Sequence, residues 1–127
     1  MTQAAVAIIR KDKRFLVCQR KKNSRYGLKW EFPGGKVEEG ESLVECVKRE
    51  LREELSIEVV EISRSETQTN RFADGGIFEV TYFTIKRFND TPVNNAFEEI
   101  RWVSLEELKS LDVLEGNKAI IAGLSDD

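Results

Sequence analysis

The chain of 127 residues is 34% charged and 40% hydrophobic with a net charge of −3, a balance that fits one folded domain over 1–127 and not a disordered chain. It contains no histidine, which excludes histidine-dependent nucleophilic catalysis, histidine general bases and histidine zinc ligands. Cys18 and Cys46 lie far apart without a CxxC pattern, no apolar run is long enough for a membrane span and no signal-peptide core is apparent, so the expected setting is the cytoplasm.

Gln3 to Ile9 reads as a buried strand, Lys11-Asp12-Lys13 as a hairpin turn and Arg14 to Arg20 as the returning strand. A polar loop over Lys21 to Leu28 precedes Trp30-Glu31-Phe32, a short strand stopped by the backbone breaker Pro33-Gly34-Gly35. Ser42 and Glu45 form a capping box, and Leu43, Val44, Val47, Leu51 and Leu55 follow at helical spacing, which predicts a helix over 43–55. Strands are predicted over 57–60 and 65–71, then an Asp74-Gly75-Gly76 hairpin into a long strand over 77–88. A last strand over 100–103, a short helix capped by Ser104 and Glu107, and a terminal helix from Gly116-Asn117 to about Leu124 complete the chain. The order predicts a mixed sheet with helices, an α/β (α+β) fold.

The acid excess is local. Glu38 to Glu54 contains seven glutamates against Lys48, Arg49 and Arg52, which leaves the remainder of the chain close to neutral. No basic face for DNA or RNA is apparent. On a wheel of about 100° per residue with Leu43 at zero, the apolar stripe spans roughly 40° to 120°. Glu50 falls at about −20°, Glu54 at about +20° and Glu53 at about −80°, the first two on the border of the stripe. A solvated acidic face belongs opposite the stripe, where Lys48 and Arg52 lie. The i,i+4 pair Glu50/Glu54 and its neighbour Glu53 repel by a few tenths of a kcal/mol each. Two of the three also face an unfavourable helix dipole worth about 0.3–1 kcal/mol. Arg49 relieves part of this, and a hard divalent cation bound by oxygen ligands would relieve the rest, magnesium or manganese rather than zinc. Pro33-Gly34-Gly35 is a plain tight turn or, beside such a helix, a phosphate cradle.

Gly35-x5-Glu41-x7-Arg49-Glu50-Leu51-x-Glu53-Glu54-x-Ser56-Ile57 resembles the Nudix box, the signature of the Nudix hydrolases. The flanking Trp30-Glu31-Phe32-Pro33-Gly34-Gly35-Lys36 and Trp102-Val103-Ser104-Leu105-Glu106-Glu107-Leu108 segments extend the likeness to the small MutT-type nucleoside triphosphate pyrophosphohydrolases. The resemblance implies a Nudix fold, an α/β/α sandwich around a mixed sheet with the box as a loop–helix–loop. It implies magnesium- or manganese-dependent hydrolysis of a nucleoside triphosphate to the monophosphate and pyrophosphate, with 8-oxo-dGTP or another unwanted nucleotide as substrate. Other nucleoside diphosphate derivatives (CTP, an ADP-sugar, a dinucleoside polyphosphate) are alternatives, and a non-catalytic nucleotide sensor is the rival class. A monomer or homodimer acting on a small nucleotide, with neither nucleic-acid polymer nor membrane as partner, follows from the same likeness.

Carried over by position, the resemblance makes Glu50, Glu53, Glu54 and the Gly34 carbonyl metal ligands, Arg49 their salt-bridging holder and Glu41 a supporting acid. Arg20 matches a phosphate-contacting arginine or is an exposed strand-end residue. Asn117 matches a purine-reading asparagine or is a helix cap. Gly35, Lys36 and Phe72 complete the implied substrate contacts, and Tyr26 and Trp30 are further stacking candidates or core residues. Two positions depart from the pattern. Ser56 stands where glycine normally takes the left-handed helix-end conformation, at a cost of about 1 kcal/mol. Ala96 stands where many relatives carry a glutamate, so the general base stays open among Glu53, Glu98 and Glu99.

Overall fold

A computed structural model describes residues 2–71 and 75–126 of the chain. Strand β1 (Thr2–Lys11) turns back into β2 (Arg14–Gln19) through Asp12 and Lys13, both at positive φ (52° and 63°), the backbone that suits the twist of a two-residue hairpin. β3 (Trp30–Glu31) ends before Pro33, which has no N–H to offer a ladder. The predicted breaker over 33–35 is half right. Gly34–Lys36 forms a further strand, β4, which pairs antiparallel with β1 (Val6↔Gly34, Ala4↔Lys36). A Cβ at Gly34 would stand 2.3 Å from the Ala5 carbonyl oxygen, so only glycine allows this approach.

Helix α1 (Leu43–Leu55) starts at a complete Ser42/Glu45 capping box. It ends at Ser56 in the left-handed region (φ 57°, ψ 34°), whose N–H donates to the Arg52 carbonyl while that of Ile57 reaches Leu51. The glycine-type helix end forms with serine. The expected strands at 57–60 and 65–71 are one strand, β5 (Glu58–Arg71). It carries register shifts between Val59 and Arg64 that erase the two-residue alternation on which the sequence reading relied. β6 (Ile77–Asn89), β7 (Glu99–Val103) and α2 (Leu105–Ser110, with its Ser104/Glu107 capping box) follow the predicted order. The predicted terminal helix begins as a 3₁₀ turn, Glu115–Asn117, and continues as α3 (Lys118–Ala122). Phe72 and Asp74 lie outside the described residues.

The strands run β3-β2-β1-β6-β5, with β4 joined to β1 and β7 to β2. The β1–β6 pairing is parallel and the other ladders are antiparallel, a mixed sheet. Alternation along β1 divides the core. Ala5, Ala7 and Ile9 face α1 through Val47, Leu51 and Leu55, whereas Ala4 and Ile8 join Leu108, Ile120 and Ile121 of α2 and α3. This is an α/β/α sandwich. Short alanines on β1 let α1 lie close to the sheet, which brings its glutamates against β4.

Two details of the helix correct the sequence reading. Val44, placed in the stripe, is 38% exposed, and Cys46 is fully buried instead. The buried arc therefore widens to about −60° (Cys46) through about 120° (Leu55). Glu50 and Glu54 sit inside this arc, not on its border.

Candidate active site

Glu50, at the third turn of α1, projects onto β4. A Cβ at Gly35 would come within 2.6 Å of the Glu50 carboxyl carbon, so the glycine is what gives that carboxylate room. One turn on, Glu54 accepts a hydrogen bond from the Gly34 N–H (3.1 Å). Arg49 gathers the surrounding acids. It bonds Glu41 through Nε and Nη2 (2.6 and 3.0 Å), Glu50 through Nη1 (2.8 Å) and the Lys36 carbonyl through Nη2 (3.2 Å). It also pairs with Glu38 at 3.0 Å and, more loosely, with Glu53 at 3.4 Å. The Arg49 hydrogen bonds, with a backbone N–H from Glu38, hold the Glu41 carboxyl down at about 2.

Glu54 is the opposite case. Burial, then the charges of Glu50 and Glu31, push its carboxyl well above the usual carboxylate range, against the Gly34 N–H. Burial also raises Glu31 on β3, partly offset by Arg20, whose Nη1 lies 3.1–3.2 Å from both Glu31 oxygens. Arg49 thus neutralises Glu50 and Arg20 neutralises Glu31. Among the described residues, no cation is paired with Glu54. A buried carboxyl of this kind, under the charges of two others, is short of one positive partner.

The chemistry of this donor set fits a hard divalent ion, because every ligating atom on offer is oxygen. Among the described residues, however, no group of three or more acids already converges as a finished coordination sphere. Glu53 in particular is 60% exposed and turned to Arg49 on the outer side.

A cavity of about 440 Å³ opens beside the carboxylates, and Arg20, Gly34, Gly35, Lys36, Glu54 and Asn117 all line it. Arg20, just past β2, meets residues of β4, α1 and the 3₁₀ turn there, and Arg20 and Asn117 are 97 positions apart in sequence. Arg20 is held between Glu31 and the Arg25 carbonyl (Nε to O, 2.7 Å), and the Lys36 ammonium lies over the Phe78 ring at 5.7 Å. Asn117 is no helix cap. It makes no side-chain capping bond, and its Oδ1 accepts from the buried Phe32 N–H at 3.0 Å.

Other candidates separate. Glu98 is exposed and accepts from the Lys22 N–H (3.2 Å), and Glu99 pairs with Arg101 (2.9 Å). Ala96 lies on the cavity wall itself. Tyr26 lines the cavity, whereas Trp30 is a core residue capped by Arg101 at 4.7 Å. Glu31, Asn70 and Tyr82, which also line the cavity, escaped the sequence reading. Glu31 carried a faint signal, as an acid between two apolar aromatics on a short strand. Asn70 and Tyr82 carried none, since they meet only across the β5–β6 ladder.

The NUDIX domain family matches residues 1–124 of the chain. The chain is 35% identical over 107 residues to a CTP pyrophosphohydrolase of Escherichia coli K12, spanning 84% of this chain and 78% of that one. It is 32% identical over 123 residues to an 8-oxo-dGTP diphosphatase of the same organism, spanning 96% and 95%. A MutT Nudix hydrolase from Burkholderia pseudomallei superposes with a TM-score of 0.88 over 98% of both chains at 23% identity, a likeness of fold.

Proposed function

The chain belongs to the Nudix hydrolase family, and from that premise we propose that it hydrolyses a nucleoside triphosphate to the monophosphate and pyrophosphate with a magnesium or manganese ion. The observation that carries this reading is that two unlike sets of residues line one cavity: Glu54 with the Gly34–Lys36 strand, and a buried asparagine, Asn117, with apolar side chains. A polyphosphate suits the first set and a planar base the second.

In this reading Glu50 and Glu54 hold the ion, with Glu53 and the Gly34 carbonyl as the further oxygen donors. When bound, the ion supplies neutralisation of the polyphosphate charge and a water nucleophile competent at neutral pH. Arg49 fixes the direction of Glu50 through its bonds to Glu41 and Lys36. Arg20 and Lys36 lie on the cavity wall where phosphate oxygens pass, and Glu31 keeps the Arg20 fork in place. Water attacks one of the two phosphorus atoms that share the α–β anhydride oxygen, that bond breaks, and the other fragment leaves with the bond's electron pair. Glu98 and Glu99 lie against the Lys22 N–H and Arg101, and in this reading Glu53, on the same helix as Glu50 and Glu54, leaves its loose pairing with Arg49 to take the proton from the attacking water. The relatives' names put CTP and 8-oxo-dGTP first among candidate substrates, and a cytoplasmic nucleotide-pool role with repair value follows from the latter.

Incubation with magnesium and a panel of nucleoside triphosphates that includes CTP and 8-oxo-dGTP tests the reading. Pyrophosphate release is expected, falling about 100-fold or more in Glu54→Gln. Undiminished turnover by Glu54→Gln would sink the role given to that residue. Absence of turnover across the panel would sink the activity.

A further inference from the structure

The inner end of the cavity is built from three polar residues drawn under the sheet: Asn70 of β5, Tyr82 of β6 and Asn117, each less than a tenth exposed. All three line the cavity. The Tyr82 hydroxyl donates to the Gly116 carbonyl (3.1 Å), and Asn70 donates to that hydroxyl through Nδ2 (3.0 Å). The Asn117 Oδ1 accepts from the Phe32 N–H (3.0 Å). A Cβ at Gly116 would stand 2.8 Å from the Asn70 amide nitrogen, so this close assembly requires glycine there.

Two backbone groups decide the direction of every bond. The Gly116 carbonyl can only accept, which commits the hydroxyl proton of Tyr82 and leaves its oxygen to accept from elsewhere. Asn70 must then offer Nδ2, not Oδ1. The Phe32 N–H can only donate, so Asn117 must offer Oδ1 to it and keeps its NH₂ for the cavity.

We propose that Tyr82 is a positioning residue for base recognition. Its hydroxyl locks the Asn70 amide in one orientation, as the Phe32 N–H locks that of Asn117, so that a fixed donor from Asn117 and a fixed acceptor from Asn70 meet a nucleobase edge carrying an acceptor beside a donor. An amide free to flip would show donor and acceptor in either order and would not tell a lactam edge from an amidine edge. The inference rests on the nucleotide reading above and adds to it the source of base choice.

Steady-state hydrolysis of the four common nucleoside triphosphates in magnesium, by the wild type and by Tyr82→Phe, tests it. The ring is kept and only the hydroxyl goes. The KM for the preferred nucleotide should rise about fivefold or more, with kcat within about twofold, and the spread among bases should narrow by the same factor. In ¹⁵N spectra, the side-chain amide protons of Asn70 should be protected in the wild type and exchange rapidly in the variant. If Tyr82→Phe does not fold, exchange in the wild type decides, and rapid exchange of the Asn70 amide there overturns the inference. An unaltered base ranking in a folded variant overturns this inference alone. A wild type that neither binds nor hydrolyses any nucleotide overturns the nucleotide reading and this inference with it.

Discussion

One guanidinium, that of Arg49, reaches four carboxylates and a backbone carbonyl. Only the planar fork of arginine can serve Glu41 through two nitrogens and Glu50 through a third. Arg49→Lys is therefore expected to cut kcat about 10- to 100-fold while the fold survives, measured by turnover beside circular dichroism. Glu54 makes a second prediction, on pH. Its carboxyl is raised in the folded protein by burial and by Glu50 and Glu31, so folding favours the protonated form. That stabilisation is complete below the ordinary carboxylate range and is lost as pH rises through the elevated folded value. The metal-free protein should melt at a progressively lower temperature as pH climbs above neutral, and Glu54→Gln should abolish that trend. Glu41 has the reverse sign, since its stabilisation is present at neutral pH and fades as pH falls toward about 2. The two acids were legible in the sequence as a motif. Their contrast was not, because burial and partners set it.

Helix α1 carries the acids, and its two ends are finished differently. The start is closed locally by Ser42 and Glu45. The finish is closed from a distance. The Asn95 N–H donates to the Glu54 carbonyl (3.0 Å), its side chain reaches the Glu53 carbonyl (3.2 Å) and the Ser56 hydroxyl (2.8 Å), and the Val93 N–H donates to the Leu55 carbonyl (2.8 Å). These carbonyls are the orphans of any helix end, and here they belong to the helical turn that carries the proposed chemistry. Asn95→Ala should destabilise the protein by about 1–2 kcal/mol in urea titration, and lower turnover as well because the last turn of α1 frays. Ser42→Ala should cost about 1 kcal/mol without a comparable loss of turnover. The first cap is written within four residues and was read directly. The second joins residues 39 apart in sequence and needed the fold.

Across the whole molecule, the sheet brings β1, β4, α1 and the 3₁₀ turn to one cavity, so metal binding and folding are linked. Magnesium or manganese should raise the melting temperature, by about 2.7 kcal/mol of added stability at a hundredfold excess over Kd. The effect should vanish in the Glu50→Gln/Glu54→Gln double variant, as differential scanning fluorimetry would show. No helix among the described residues is long and apolar enough to cross a membrane. By itself the sequence determined the helix over 43–55, its first cap, most of the strands along the chain and the acid motif, because each depends on spacing within a few residues. It misjudged Val44 and divided β5, where a first turn left uncovered and a bulge break the period that such reading needs. Only the tertiary structure decided that Glu50 and Glu54 lie inside the buried arc, that Glu31 joins them, and that Asn70, Tyr82 and Asn117 close the cavity's far end. Those relations are distances between strands and helices remote in sequence, and desolvation, which makes Glu54 need a cation, exists only once the chain has packed around it.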